Sequence, residues 1–177
     1  MIRVFIENAP YAYVKMFEGL GYEVVGEVTE ANLVCFVGGA DVTPALYNHK
    51  MHPRTHNSPC TDSASVILYE TCLGLGIPMV GICRGGQFLN VMGDGTMYQD
   101  VNGHALSGTH MMQLTSDGTE YEVSSTHHQM MCAGPKGVTL ATGGRLAGDR
   151  KTHYNRKEGT WGDPQPFMLD TEVVYYE

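Results

Sequence analysis

The chain has 177 residues, and its 11 Lys and Arg against 19 Asp and Glu give a net charge of −8. This length predicts a single domain over residues 1–177, and the acidic balance argues against general binding to nucleic acid or anionic membranes, because like charges repel. Hydrophobic residues make up 42% of the chain, which is enough for a folded core and excludes disorder as the dominant state. No apolar run reaches the roughly 18 residues of a membrane span.

The cysteine content and the N-terminal residues indicate the cellular compartment of the protein. Five cysteines are an odd number, and three of them lie in apolar runs, which favours reduced thiols over a disulfide framework. The apolar start of the chain is interrupted at Glu7 and Asn8, too early for a signal peptide. These features predict a cytoplasmic protein.

The first ninety residues alternate strand and helix patterns. Short apolar runs predict strands, and apolar residues at helical spacing predict helices that end near Gly21 and near Gly74 or Gly76. The predicted strands are residues 3–6, 33–37 and 78–82, and the predicted helices are residues 11–20, 61–73 and 85–92. This order predicts a three-layer α/β domain with a mostly parallel sheet.

After residue 95 the pattern changes to short β-like segments separated by polar residues and glycine. These segments predict mostly antiparallel strands at residues 110–115, 121–125, 137–142 and 173–176. Residues 143–166 have almost no apolar periodicity, so we predict a long, mobile loop there.

The most informative segment runs from an apolar strand through Gly81-Ile82-Cys83-Arg84-Gly85 into a helix. Gly-x-Cys-x-Gly in this context is the nucleophile-elbow pattern with cysteine in place of serine. The helix N-terminus favours a thiolate at Cys83, and the backbone N–H of Arg84 is placed to bind an oxyanion. A buried structural cysteine at a strand end is the alternative, because short motifs recur by chance.

A second glycine turn follows the preceding buried strand, at Gly38-Gly39. Parallel strands end at the same edge of a sheet, which is where open α/β folds bind ligands. The turn can therefore supply the second oxyanion N–H.

Four motifs together resemble a known family. They are residues 38–47 (GGADVTPALY), 81–91 (GICRGGQFLNV), 95–101 (GTMYQDV) and 124–129 (SSTHHQ). In this order they resemble the class I glutamine amidotransferases, with the γ-glutamyl-hydrolase type (peptidase C26) as the most similar branch. The resemblance implies a flavodoxin-like α/β fold and a Cys–His–Glu triad.

The resemblance also implies roles for individual residues. Cys83 matches the nucleophile, and Gly39 and Arg84 match the backbone donors of the oxyanion hole. The residues that match substrate contacts are Gly38, Gln87, Ser125, Thr126 and His127. The implied reaction is attack of the Cys83 thiolate on a γ-carboxamide, loss of ammonia or an amine, and hydrolysis of the thioester.

The sequence departs from the family at the C-terminus. The family's catalytic histidine lies in a Gln-x-His-Pro-Glu-like motif after a hairpin, and no such motif occurs here, although residues 171–177 resemble the first arm of that hairpin. Three explanations stay open: an incomplete C-terminal part, a base role for His127 or His128, or an inactive relative. We favour the first, because a chain that ends mid-hairpin leaves a strand edge unpaired. We therefore expect little glutaminase activity from these 177 residues alone.

His128 is the candidate base under the second explanation, since a Cys–His contact activates a thiol and protonates leaving ammonia. The alternative, which we favour, is that His127 and His128 only shape the substrate pocket.

Three functions follow, in order of preference. The first is a hydrolase of glutamine or γ-glutamyl conjugates, the second an ammonia-supplying protein with a separate synthase partner, and the third an inactive glutamine-binding relative. The expected partner is a small molecule, and no cofactor is expected. We also predict no metal, because His49, His52, His56 and Cys60 lack the spacing of a zinc site.

Overall fold

The computed structural model describes residues 1–101, 109–124, 126–143, 153–155, 160–162 and 170–176. The chain forms two compact units, one made of residues 1–42 and 57–89 and the other of residues 43–56 and 90–177. The single domain over residues 1–177 stays a prediction. Within the described ranges, no helix has both the length and the apolar character needed to cross a membrane.

The first unit is built on a parallel sheet. Its elements are β1 (Arg3–Ile6), α1 (Tyr11–Gly19), β2 (Glu23–Val25), β3 (Leu33–Phe36), α2 (Pro59–Leu75), β4 (Met79–Gly81) and the start of α3 (Arg84–Met92). The strand order is β2-β1-β3-β4, and every pair is parallel. The predicted parallel sheet and its three predicted strands are confirmed, and β2 is an additional strand.

The apolar run of β3 is buried because the strand lies inside the sheet. Val34, Cys35 and Phe36 have no exposed surface. Cys35 packs in a core cluster with Val4, Ile6, Phe17 and Val37, as expected for a parallel strand covered on both faces.

Local chemistry sets the ends of α2. The helix begins at Pro59, a few residues before the predicted start, because proline is favourable in the first turn, where its missing N–H costs nothing. It ends at Gly76, which adopts the left-handed conformation (φ 65°) expected of a glycine cap.

The second unit carries an antiparallel sheet. Its strands are β5 (Thr96–Tyr98), β6 (Thr109–Leu114), β7 (Glu120–Ser124), β8 (Met130–Cys132), β9 (Val138–Gly143), β10 (His153–Asn155), β11 (Thr160–Gly162) and β12 (Asp170–Tyr175). Six of them form one sheet in the order β5-β8-β12-β9-β6-β7, and the pairs are antiparallel. The four predicted β segments are confirmed, and β5 and β8 are additional strands that were not predicted.

The predicted loop over residues 143–166 is wrong in part. β10 and β11 pair as an antiparallel two-stranded sheet, with Tyr154 opposite Trp161. The remainder of the predicted loop, residues 144–152, 156–159 and 163–166, lies outside the described residues.

β12 occupies an interior position of the six-stranded sheet. It pairs with β9 from Asp170 to Tyr175 and with β8 at Thr171. This placement differs from the edge strand expected for one arm of an open hairpin.

Tyr176 joins the end of β12 to the turn after α3. Its Oη accepts the N–H of Gly134 at 2.6 Å and donates to Asn90 Oδ1 at 2.8 Å. A Cβ added at Gly93 or Gly137 would lie within about 3 Å of the Tyr176 ring, so a side chain at either position would displace the ring. Burial raises the pKa of Tyr176 above its ordinary value.

We expect Tyr176→Phe to lower the free energy of unfolding by about 1–2 kcal/mol, because the Gly134 N–H and Asn90 Oδ1 each lose a partner. Tyr121→Phe is the control, since Tyr121 is half exposed on β7 and should change stability by less than about 0.5 kcal/mol. Urea unfolding measures both. The folded state holds the Tyr176 proton more tightly, so this part of the wild-type stability should be lost as the pH rises above about 10. Equal losses of stability in the two variants would contradict a stabilising role for the hydrogen bonds of Tyr176.

Candidate active site

Cys83 occupies a sharp turn between β4 and α3. Its φ is 57°, in the left-handed region that non-glycine residues seldom adopt, and its side chain is exposed. A backbone held in this region costs on the order of 1–3 kcal/mol and is typical of functional sites. The elbow geometry matches the sequence prediction, and the alternative of a buried structural cysteine does not fit the exposure.

The glycines on either side of Cys83 are required by close backbone contacts. A Cβ at Gly81 would overlap the carbonyl group of Gly85, and a Cβ at Gly85 would overlap the carbonyl oxygen of Phe36, each at less than 3.0 Å. β3, β4 and the first turn of α3 therefore approach more closely than any side chain allows. This close approach holds Cys83 in its strained conformation.

The Gly38-Gly39 turn lies beside the nucleophile. A Cβ placed on Gly38 would be 3.4 Å from Cys83 Cβ and 3.7 Å from its Sγ. The N–H of Gly38 donates to Tyr13 Oη at 2.9 Å. No described residue accepts a hydrogen bond from the N–H of Gly39 or of Arg84. This is compatible with the predicted oxyanion role of the two N–H groups, which stays a prediction.

The side chain of Arg84 turns into the protein and is only 2% exposed. Its guanidinium forms an ion pair with Asp62, donates from Nη1 to Ser65 Oγ at 2.8 Å and stacks over Phe88, with Cζ 4.9 Å from the ring centroid. The residue after the nucleophile is thus anchored by α2.

Glu7, just after β1, extends this network to the glycine turn. Its Oε1 accepts from Ser65 Oγ at 2.5 Å, and its Oε2 accepts from the N–H of Val37 at 3.3 Å. Sequence reasoning missed Glu7, Asp62 and Ser65. The one available signal was a carboxylate directly after a buried strand, at the edge where the glycine turns were expected.

Gln87 lies in the first turn of α3. Its N–H donates to the carbonyl of Cys83 at 3.1 Å, and the residue is buried. The first unit therefore brings together Cys83, Arg84, Gln87 and the Gly38-Gly39 turn, as predicted, while their catalytic and binding roles stay predictions.

The second unit holds the remaining predicted site residues. Thr126 is exposed, and His127 Nδ1 lies 2.7 Å from the carbonyl oxygen of Gln129. His128 Nδ1 lies 3.4 Å from Asp100 Oδ1, and Asp100 is itself buried. This contact orients the imidazole and favours the tautomer that carries its proton on Nδ1. Ser125 lies outside the described residues.

Asp100 and Gln99 also anchor the loop that carries the histidines considered as metal ligands. Gln99 Oε1 accepts from the His52 N–H and from Thr55 Oγ1, both at 2.9 Å, and Asp100 Oδ2 accepts from Arg54 at 2.9 Å. His52 is buried, and this burial lowers its pKa. Among the described residues, no group of three or more His, Cys, Asp or Glu side chains is arranged to hold a metal.

Comparison with known proteins identifies the family. The peptidase C26 family model matches residues 23–147. The chain belongs to the peptidase C26 family. This family is of the class I glutamine amidotransferase type, so the predicted family is confirmed.

A relative from Mycobacterium tuberculosis, named as a glutamine amidotransferase, is 32% identical over 140 residues, which cover 67% of this chain and 45% of the relative. The chain therefore matches about half the length of that protein. A glutamine amidotransferase structure from Thermotoga maritima has a TM-score of 0.58 at 18% identity and covers 80% of this chain and 66% of its own. A Thermoplasma acidophilum structure, named as a GMP synthase subunit, has a TM-score of 0.53 at 14% identity, covering 88% and 80%. These likenesses confirm the predicted flavodoxin-like α/β fold.

The exposed thiol predicts selective alkylation. Cys83 and Cys60 are exposed, whereas Cys35 is fully buried and its pKa is raised to about 11 by burial and, to a smaller extent, by the charge of Glu7. In a Cys60→Ser variant at about pH 7.5, iodoacetamide should modify Cys83 about 100-fold faster than Cys35, which is protected by the folded core. Peptide mass spectrometry measures the two rates. Comparable rates would show that the elbow does not present its thiol.

We expect a single methyl group added at an elbow glycine to lower the stability of the fold strongly. Gly85→Ala should lower the free energy of unfolding by about 3 kcal/mol or more, because the Phe36 carbonyl must move. Gly74→Ala is the matched control, since Gly74 lies in α2 with no atom within 4 Å of an added Cβ. It should be neutral or stabilise by up to about 1 kcal/mol. Urea denaturation of the two variants tests the close approach at the elbow.

Proposed function

We propose that the protein is a hydrolase of γ-glutamyl amides, glutamine or a γ-glutamyl conjugate, and that it acts through a thioester on Cys83. The thiolate attacks the carbonyl carbon of the γ-carboxamide, and the carbonyl electron pair moves onto the oxygen. Collapse of this intermediate expels ammonia or an amine, which takes up a proton. Water then releases glutamate and restores the thiol.

The observation that carries this proposal is the exposed Cys83 at φ 57°, beside Gly38 and at the start of α3. A structural cysteine needs neither strained backbone nor exposure. The N–H groups of Gly39 and Arg84 are the proposed oxyanion donors, and such donors contribute on the order of 100- to 1,000-fold to catalysis.

The remaining roles rest on the family motifs. Gln87, Gly38, Ser125, Thr126 and His127 are the proposed contacts of the γ-glutamyl group. His128, oriented by Asp100, is the candidate base if these residues act without a further histidine. The five cysteines are free thiols, which supports the expected cytoplasmic location.

A second candidate function is supply of ammonia to a separate synthase. It is favoured by the likeness to the Thermoplasma acidophilum structure, whose name assigns it to a synthase. Glutamine hydrolysis that rises strongly on adding a synthase chain would select this function, and turnover of γ-glutamyl amines by the protein alone would select the hydrolase. The third candidate, a non-catalytic glutamine-binding protein, predicts binding without reaction at Cys83.

The test uses 6-diazo-5-oxo-L-norleucine, a diazo ketone shaped like glutamine, which forms a thioether with a cysteine and releases N2. In the Cys60→Ser background we expect one reagent per chain, attached to Cys83, and protection by excess glutamine. Cys83→Ala should abolish labelling, because the nucleophile is gone. Intact-mass spectrometry measures the adduct. Glutamine binding without labelling would contradict the hydrolase and favour the non-catalytic protein.

A further inference from the structure

The first unit buries a charged network that the proposed reaction does not use directly. Glu7, Asp62, Ser65 and Arg84 are between 0% and 7% exposed. Burial of ionised groups is costly unless each is paired and hydrogen-bonded. This cost makes a purely incidental cluster a poor explanation.

The network has two arms that lead to the two proposed oxyanion donors. One arm runs from Ser65 to Arg84 Nη1 at 2.8 Å, and Arg84 carries the N–H that follows the nucleophile. The other runs from Ser65 through Glu7 to the N–H of Val37, directly before the Gly38-Gly39 turn.

Ser65 joins the arms through a single oxygen atom. It accepts from Arg84 and donates to Glu7, so both bonds are charge-assisted and the hydroxyl has one orientation. Arg84 suits this role better than lysine would, because its planar fork reaches Asp62 and Ser65 together and its flat face stacks on Phe88.

We propose that Glu7 and Ser65, with Asp62 and the side chain of Arg84, are positioning residues that set the spacing between the N–H groups of Gly39 and Arg84. The proposal rests on the proposed function, because the spacing matters only where an oxyanion forms. None of the four side chains needs to touch substrate. Their effect is expected in the rate of thioester formation and not in substrate binding.

The test is Ser65→Ala compared with Ser63→Ala, both in the Cys60→Ser background. Ser63 lies on the same helix and is exposed, and its hydroxyl donates to the carbonyl of Pro59 at 2.9 Å. The substrate is L-γ-glutamyl-p-nitroanilide, which releases one p-nitroaniline as each thioester forms. The nitrogen leaves as neutral p-nitroaniline and takes up a proton as the C–N bond breaks, and this requirement is the same in the parent protein and in both variants.

At saturating substrate, Ser65→Ala should slow the p-nitroaniline burst roughly 10- to 100-fold, as expected for donors displaced by a fraction of an ångström to about 1 Å. The concentration for half-saturation should change less than about twofold, since the substrate contacts remain. Ser63→Ala should match the parent protein in both the burst rate and the half-saturation concentration. A rise in the half-saturation concentration with an unchanged burst rate would overturn the positioning role.

Alkylation by iodoacetamide separates positioning from unfolding. This reagent reacts by displacement at carbon and needs no oxyanion donor, so Cys83 should be modified at the parent rate in Ser65→Ala while Cys35 stays protected. If Cys35 becomes reactive, the variant has unfolded and Glu7→Gln replaces it, because glutamine keeps the shape and an acceptor for Val37. Glu7→Gln should slow the burst roughly 3- to 10-fold; an unchanged burst would overturn the proposal.

Measurements on the parent protein distinguish failure of the proposed function from failure of the positioning role. If the parent neither releases p-nitroaniline nor reacts with the diazo ketone at Cys83, the proposed function is contradicted, and the positioning role with it. A normal burst in the parent together with a normal burst in folded Ser65→Ala would contradict the positioning role alone.

Discussion

The left-handed backbone at Cys83 is the constraint on which the candidate site depends. Such a conformation costs on the order of 1–3 kcal/mol and persists only where the surroundings enforce it. Here the enforcement comes from β3 and β4: the Ile82 N–H donates to the carbonyl of Phe36 at 3.1 Å, and Gly85 sits against the same carbonyl without room for a methyl group. The same packing of β3 and β4 therefore produces both the strained backbone at Cys83 and the close approach at Gly85. A side chain at either elbow glycine would relax the turn and withdraw the thiol from the glycine pair.

The sequence predicted the parts of the fold whose signals are local. The apolar run of β3, the body of α2 and the Gly-x-Cys-x-Gly turn each lie within one segment of the chain, and each is where the pattern indicated, although α2 begins before its predicted start. β2, β5 and β8 have three residues each, too few for a periodicity to register, and their pairing depends on distant strands. β10 and β11 were not predicted for the same reason: each has three residues, and both lie in a segment rich in turn-forming residues.

The supporting network could not be read from the sequence, because its members are far apart along the chain. Ser65 and Glu7 are separated by 58 positions, and Arg84 lies 19 positions from Ser65. The side chain of Arg84 points inward onto α2. The motif predicted a role only for the backbone N–H of Arg84, and that role stays a prediction, while the placement of its side chain depends on tertiary packing.

The charges of the network decide how it can act. The guanidinium of Arg84 is paired with Asp62 and Ser65, and the carboxylate of Glu7 accepts from Ser65 and from the N–H of Val37. Electrostatic attraction from the guanidinium is directed at Asp62. In the proposed reaction, stabilisation of the oxyanion therefore falls to the N–H groups of Gly39 and Arg84 and to the N-terminus of α3. The proposed contribution of the network is therefore geometric: it fixes where the two donors stand.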